Sequence, residues 1–380
     1  MFTRRFRSRA AGVMAVSFAI VLTGGPATAS SSDADSRVEE VTAALEDAIA
    51  ALPEFVNTGS PAISSHSAKE FSLDTALTCI PVEDLFYCPL DAWREQPLVR
   101  TNDEGRSTSV HTSGDLTWNQ YTSGLRALPV EEQVELLRED LEGAISSVGK
   151  VLADTAVLRG EALDAELIEG LPGAADYLAD FSDSASVVPM IDPNFTHRLM
   201  TSTSAKKQEK PNYCGPASLA FMSYHDPKVK NDITHKQSDW AGFVKTDASG
   251  SSITYMTKVI NDKLKGYSAN VGDYAIAGIS SWSEGTWQAR FYTTTYVKKS
   301  PILLHPVLTK KNSSYIPSAS WNTGGHFNVG VGFKTQSSGS HAWIFEPYAA
   351  DGSISKFVWE SMKNVRQQNL DNTGHRNIAY

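Results

Sequence analysis

The segment Lys-Pro-Asn-Tyr-Cys-Gly-Pro-Ala-Ser-Leu-Ala-Phe-Met, residues 210–222, holds Cys214, one of three cysteines in the 380-residue chain. Pro216 fits the first turn of a helix, where the missing N–H has no partner to lose. The apolar run behind it reads as a buried helix. Cys214 is therefore expected at or just before a helix N-terminus. There the positive end of the aligned peptide dipoles stabilises a thiolate, and backbone N–H groups can receive a developing oxyanion. Gly215 leaves room for a substrate carbonyl to approach. The competing reading is a buried free cysteine that packs as a small hydrophobe.

A cysteine nucleophile needs a base, and the base needs a group to orient it. In Gly-Gly-His-Phe-Asn-Val-Gly-Val-Gly-Phe, residues 324–333, His326, Asn328, Gly330 and Gly332 alternate with apolar residues, which is the period of a strand. A polar stretch and a second run, His-Ala-Trp-Ile-Phe-Glu-Pro-Tyr, follow and complete a hairpin signal. A turn near Ser337 sets Asn328 opposite Glu346, which places Glu346 diagonally from His326 on the same face. A one-residue slip would move it to the other face. Asp351 is the next acid in line. Six residues before the cysteine, Gln208 offers an amide that could join the backbone N–H of Cys214 in an oxyanion hole. Taken singly, each of these side chains has a commoner fate: a histidine satisfied in a sheet, a surface carboxylate, a solvated glutamine.

The order Gln208, Cys214, His326, Glu346 resembles the papain-like cysteine peptidases. The "YCGPASLAFM" segment, "QSDWA" at 237–241 and the glycine-rich histidine strand look closest to the bacteriocin-processing peptidase-like family, over about residues 205–350. The resemblance implies a papain-like fold and thiol hydrolysis of an amide bond in a peptide or protein substrate. It carries Cys214 over as nucleophile, His326 as base and Gln208 as oxyanion donor. One departure stands out. The family usually has Asp-Pro where this chain has Glu346-Pro347. The family's transporter domain has no counterpart here, so its leader-cleaving export role does not carry over. Two other readings stay open: an amidase or acyl transferase acting on cell-wall peptides, and a non-catalytic papain-like binding module.

These residues must be positioned by the rest of the chain, which divides by composition. Arg4, Arg5, Arg7 and Arg9, the apolar run 10–22 and Ala27-Thr28-Ala29 read as a secretory signal peptide over 1–29. The remainder is ordinary globular material, with 41% hydrophobic and 20% charged residues overall. No later apolar run reaches membrane-spanning length, so a secreted, extracellular protein without a membrane anchor is expected. Export favours a Cys79–Cys88 disulfide and leaves Cys214 over. Residues 30–195 carry 31 acidic and 9 basic side chains; residues 196–380 carry 12 and 21. Apolar residues recur at helical spacing over about 34–52 (Val38 to Leu52) and, behind Pro129, over 129–153 (Val134 to Leu152). The segment 72–93 is less regular, and 180–195 reads as a linker.

In the basic half, helices are predicted from Cys214 and over about 251–265. Aromatic and β-branched runs after that, including 289–297, predict strands. The fold class expected is α+β: a papain-like catalytic domain (196–380) behind an acidic, mostly helical N-terminal region (30–195). The charge split suggests that this region docks intramolecularly on the basic domain and acts as a pro-region. No H-E-x-x-H, C-x-x-C or P-loop occurs, so no cofactor or metal is expected. The lysines are scattered rather than clustered, so no nucleic-acid partner is expected. His225 and His235 read as solvated. Trp282, Trp287 and Trp321 fit either a substrate cleft or, more commonly, core.

Overall fold

The computed structural model describes residues 31–54, 71–98, 115–158, 194–200, 205–229, 235–317, 323–348 and 354–380. The signal peptide read at 1–29, the linker up to residue 193, Trp321 and Asp351 lie outside these.

Residues 31–158 supply α1 (Ser31–Ala50), α2 (Leu73–Ala76), β1 (Ile80–Val82), β2 (Leu85–Cys88), β3 (Ala92–Arg94), α3 (Trp118–Arg126) and α4 (Val130–Leu158). The two long helices match the apolar spacing read in the sequence. Their stripes bury Val41 and Leu45 of α1, and Leu137, Leu141 and Val148 of α4, in one core with Leu85, Tyr87 and Trp93. The less regular segment 72–93 adds strands to this mostly helical region. It folds into a hairpin, β1–β2, with Ile80 opposite Tyr87, and Cys79 and Cys88 form a disulfide.

The rest comprises β4 (Thr196–Arg198), α5 (Cys214–Ser223), α6 (Gln237–Phe243), α7 (Ile253–Lys263), α8 (Lys265–Val271), β5 (Ile276–Gly278), α9 (Glu284–Tyr292), β6 (Ile302–Leu304), β7 (Asn328–Lys334), β8 (His341–Phe345), β9 (Phe357–Ser361), α10 (Met362–Leu370) and β10 (Asn377–Ala379). The ten strands form one sheet in the order β1-β2-β3-β5-β10-β6-β7-β8-β9, with β4 also on β7. All pairs are antiparallel except β3 with β5, where Trp93 pairs Ala277. The sheet therefore runs without a break from residues 80–94 into the cysteine-bearing half.

One core cluster joins α5, α6, α7 and α8 to Phe327, Val329, Val331 and Phe345. Another joins α9 and α10 to Ile302, Leu304, Phe333 and Ile344. Trp282 and Trp287 belong to this second cluster, so they are core rather than cleft. The strand predicted over 289–297 is a correction: α9 runs to Tyr292 and continues as a π-helical turn over Thr293–Val297. Ser283 caps its start by accepting from Thr286 N at 3.0 Å. Thr295 Oγ1 bonds the Phe291 carbonyl at 2.7 Å, which lets a β-branched run stay helical.

Candidate active site

All ten residues of α5 are buried, with Cys214 as its first residue and Pro216 in its first turn. The helix is apolar all round because it lies between the sheet and α7. Gly215 allows that close packing. A Cβ there would come within 2.9 Å of both Met256 Sδ and Ser251 Oγ.

The hairpin supplies the histidine and the acid. Val329 pairs Phe345 and Gly330 pairs Ile344, the register expected from a turn near Ser337; a bulge then shifts it by one from Gly332 onward. Glu346 follows β8, and His326 precedes β7. Glu346 Oε1 accepts from His326 Nε2 at 2.6 Å and from the Tyr348 N–H at 2.8 Å. Its other oxygen, Oε2, accepts from Asn328 Nδ2 and from Tyr315 Oη, both at 3.3 Å. The longer acid thus reaches His326 while four donors hold it. Cys214 and Glu346 are 0% exposed and His326 2%, so the three groups sit away from bulk water.

With Nε2 held by Glu346, Nδ1 is the ring nitrogen left for the Cys214 sulfur. Burial by itself would push the His326 imidazole down. The Glu346 carboxylate and the Cys214 sulfur outweigh it, by charge and by hydrogen bond, and hold the pKa up at about 10. A histidine in that state keeps its proton at neutral pH and can pair with a thiolate.

Gln208 lies beside the same strand end, where its backbone N–H donates to Pro347 O at 2.9 Å. Its side-chain amide donates to Lys210 O at 3.0 Å and to Pro211 O at 2.8 Å, so both Nε2 hydrogens are engaged in this state. A residue that sequence reasoning left without a role fixes this segment. Gln237 of α6, the first residue of "QSDWA", donates to Lys207 O at 2.7 Å and accepts from Glu209 N at 2.8 Å. It grips the backbone on both sides of Gln208. Asn328 was visible as the residue opposite Glu346 in the hairpin. Tyr315 comes from a separate loop and carried no signal.

The other histidines read as solvated are half-buried instead. His235 meets Ser223 Oγ at 2.7 Å and stacks on Tyr224, and the His225 ring packs on Phe221. Among the described residues, one buried group has the types and spacing of metal ligands: Asp115, His305 and His375.

Residues 200–367 match the Peptidase_C39 like family. The match supports a C39-like, papain-like cysteine peptidase family for this part of the chain. No curated protein and no solved structure matches the chain.

Proposed function

We propose that the protein is a thiol hydrolase that cleaves amide bonds in peptides. Cys214 is the nucleophile, His326 the general base and acid, and Glu346 the group that orients the imidazole. The observation that carries the reading is the buried His326 held by Glu346 Oε1 at 2.6 Å, with the Cys214 sulfur at the other side of the ring. The thiolate attacks the amide carbonyl, the imidazolium protonates the leaving amine, and water resolves the thioester with the imidazole as base. The backbone N–H of Cys214, at the helix start, receives the oxyanion, and Gln208 joins it once its amide swings off Pro211 O. Rapid alkylation of Cys214 by iodoacetamide at neutral pH, with turnover on a diverse peptide library, is the expected result. A thiol that reacts only after unfolding would sink the reading and favour a binding module.

The N-terminal region stays docked and forms part of the working protein in this reading, rather than a removable pro-region. Support comes from β3 pairing with β5, and from Arg94 Nη2 donating to His375 O at 2.6 Å. Lys150 Nζ likewise donates to Tyr380 O at 2.5 Å and to Asp273 O at 3.1 Å. These buried cations come from the acidic half, so sheet pairing and carbonyls add to the opposite-charge contact of Lys258 Nζ with Glu139 Oε2 at 3.3 Å. Secretion, argued from residues 1–29, belongs to the same proposal. Intact mass of the exported chain tests both points: cleavage near residue 29 is expected, and a product starting near residue 196 would overturn the docked reading.

A further inference from the structure

Three segments far apart in the chain meet at a buried point outside the cysteine site. Asp115 belongs to the N-terminal region and pairs with Ser251, His305 follows β6, and His375 lies in the turn before β10. All three are buried, and one ligand-type atom from each lies within 4.8 Å of the others. We infer that Asp115, His305 and His375 form a binding site for a divalent transition-metal ion of zinc type, which ties the N-terminal region to the cysteine-bearing half.

The hydrogen bonds around the two rings decide which nitrogens face the site. Asn377 Nδ2 donates to Asp91 Oδ1 at 3.1 Å, which turns Asn377 Oδ1 toward His305 Nδ1 at 2.8 Å. An amide oxygen only accepts, so His305 carries its proton on Nδ1. His375 Nε2 meets the Leu116 carbonyl at 2.9 Å and must be the donor there as well. Each ring therefore spends one N–H on an outer oxygen, as metal-bound histidines do, and its other nitrogen is the one it can offer a metal. His305 Nε2 is 2.6 Å from Asp115 Oδ1, without hydrogen-bond geometry, and makes no hydrogen bond elsewhere. A proton or a metal ion is what can sit between two such atoms, and the second histidine beside them gives the group a third ligand. Ligands about 2.0–2.2 Å from one zinc ion are about 3.3 Å apart. All three atoms lie within 4.8 Å of one another, and the 2.6 Å His305–Asp115 pair would open by under about 1 Å to admit the ion. Two imidazoles and one carboxylate are borderline ligands that suit zinc or cobalt rather than calcium or magnesium.

The surroundings are shaped for the carboxylate. Gly325 has a φ of +139°, and a Cβ there would come 2.2 Å from Asp115 Oδ2. The bare backbone lets Asp115 come close beside the segment that carries His326.

The test uses the full-length, tag-free chain with Cys214→Ala, so that the thiolate cannot compete for metal. After chelator treatment, cobalt(II) should give the visible absorption of a low-symmetry nitrogen–oxygen site at about one ion per chain. Zinc should displace it and raise Tm by about 5 °C. His305→Gln and His375→Gln should each abolish the cobalt spectrum and the zinc-dependent Tm rise. No cobalt spectrum and no Tm response to excess zinc in the parent chain would overturn the inference, whether or not the variants fold. Undiminished binding in either folded variant would also overturn it.

Discussion

Two buried histidines meet at Phe327. His326 precedes it in the chain, and the His305 ring stacks on it at 4.4 Å. Each has a carboxylate oxygen 2.6 Å from Nε2, yet the surroundings separate their chemistry. On His326, Nε2 is a hydrogen-bond donor to Glu346, and Nδ1 is left for sulfur. On His305, Nδ1 is the donor, to Asn377, and Nε2 faces the acid without a hydrogen bond. Glu346 has four donors converging on it, which leaves little need for a cation beside the imidazolium. A histidine–carboxylate contact is thus not one device. The atom that holds the proton, set by the neighbour on the far side of the ring, decides whether it moves protons or binds metal.

The largest way to break this comparison is to remove one member of each pair. Cys214→Ser and His326→Ala should each lower turnover by about 10⁴–10⁶-fold, as losses of triad members do. His305→Gln should cost no more than about tenfold in kcat, while lowering Tm and metal content. A His305→Gln loss as deep as that of His326→Ala, in a folded protein, would erase the distinction.

Glu346→Gln comes next. The imidazolium of His326 is lost as pH rises through about 10, so the alkaline limb of alkylation and turnover should lie there. The stability this group contributes is complete below about pH 6.5, the ordinary histidine value, and disappears as pH rises through about 10. With the carboxylate neutralised, the limb should move down by more than one pH unit and turnover should fall by about 10²–10³-fold. An unmoved limb would mean that Glu346 does not hold the proton on His326.

Gln208→Ala should slow turnover by about 10²-fold with alkylation unchanged, the signature of a lost oxyanion donor. Gln237→Ala should lower turnover less, by about tenfold, because it only frees the backbone around Gln208. Equal alkylation rates across these variants, read beside their kcat, separate a donor to the oxyanion from a support for the thiol.

The same contrast explains what could be read in advance. Cys214 and the His326–Glu346 pair were legible because each depends on local pattern: a Gly-Pro helix start, and a hairpin whose turn fixes the register. Asp115, His305 and His375 were not, since no spacing links positions so far apart and only the folded sheet brings them together. The extension of the sheet by β1–β3 was hidden for a related reason. Strands of three or four residues give almost no periodicity, and Trp93 pairs with Ala277 across a long stretch of chain. In 289–297 the threonine run read as strand because propensity ignores the bond from Thr295 to the Phe291 carbonyl.

The smallest effect is expected at Tyr315. Its hydroxyl donates to Glu346 Oε2 at 3.3 Å, a long contact beside the 2.6 Å bond from His326 to Oε1. Tyr315→Phe removes one oxygen and keeps the ring in its packing, so it tests that donor alone. Burial first, then the Glu346 and Glu360 charges, raise the Tyr315 pKa well above the ordinary tyrosine value, so the group remains a neutral donor across the working pH range. Losing one weak donor among four leaves Asn328, Tyr348 N and His326 in place. The expected cost is about 1 kcal/mol in stability. Turnover should fall by a few-fold, and the alkaline limb should shift by well under one pH unit, in the same direction as in Glu346→Gln. The measurement is a pH profile of iodoacetamide alkylation on both variants. A Tyr315→Phe limb that moves as far as that of Glu346→Gln would show that the carboxylate depends on this hydroxyl rather than on the four donors together. That result would break the reading of Glu346 as an acid held from all sides.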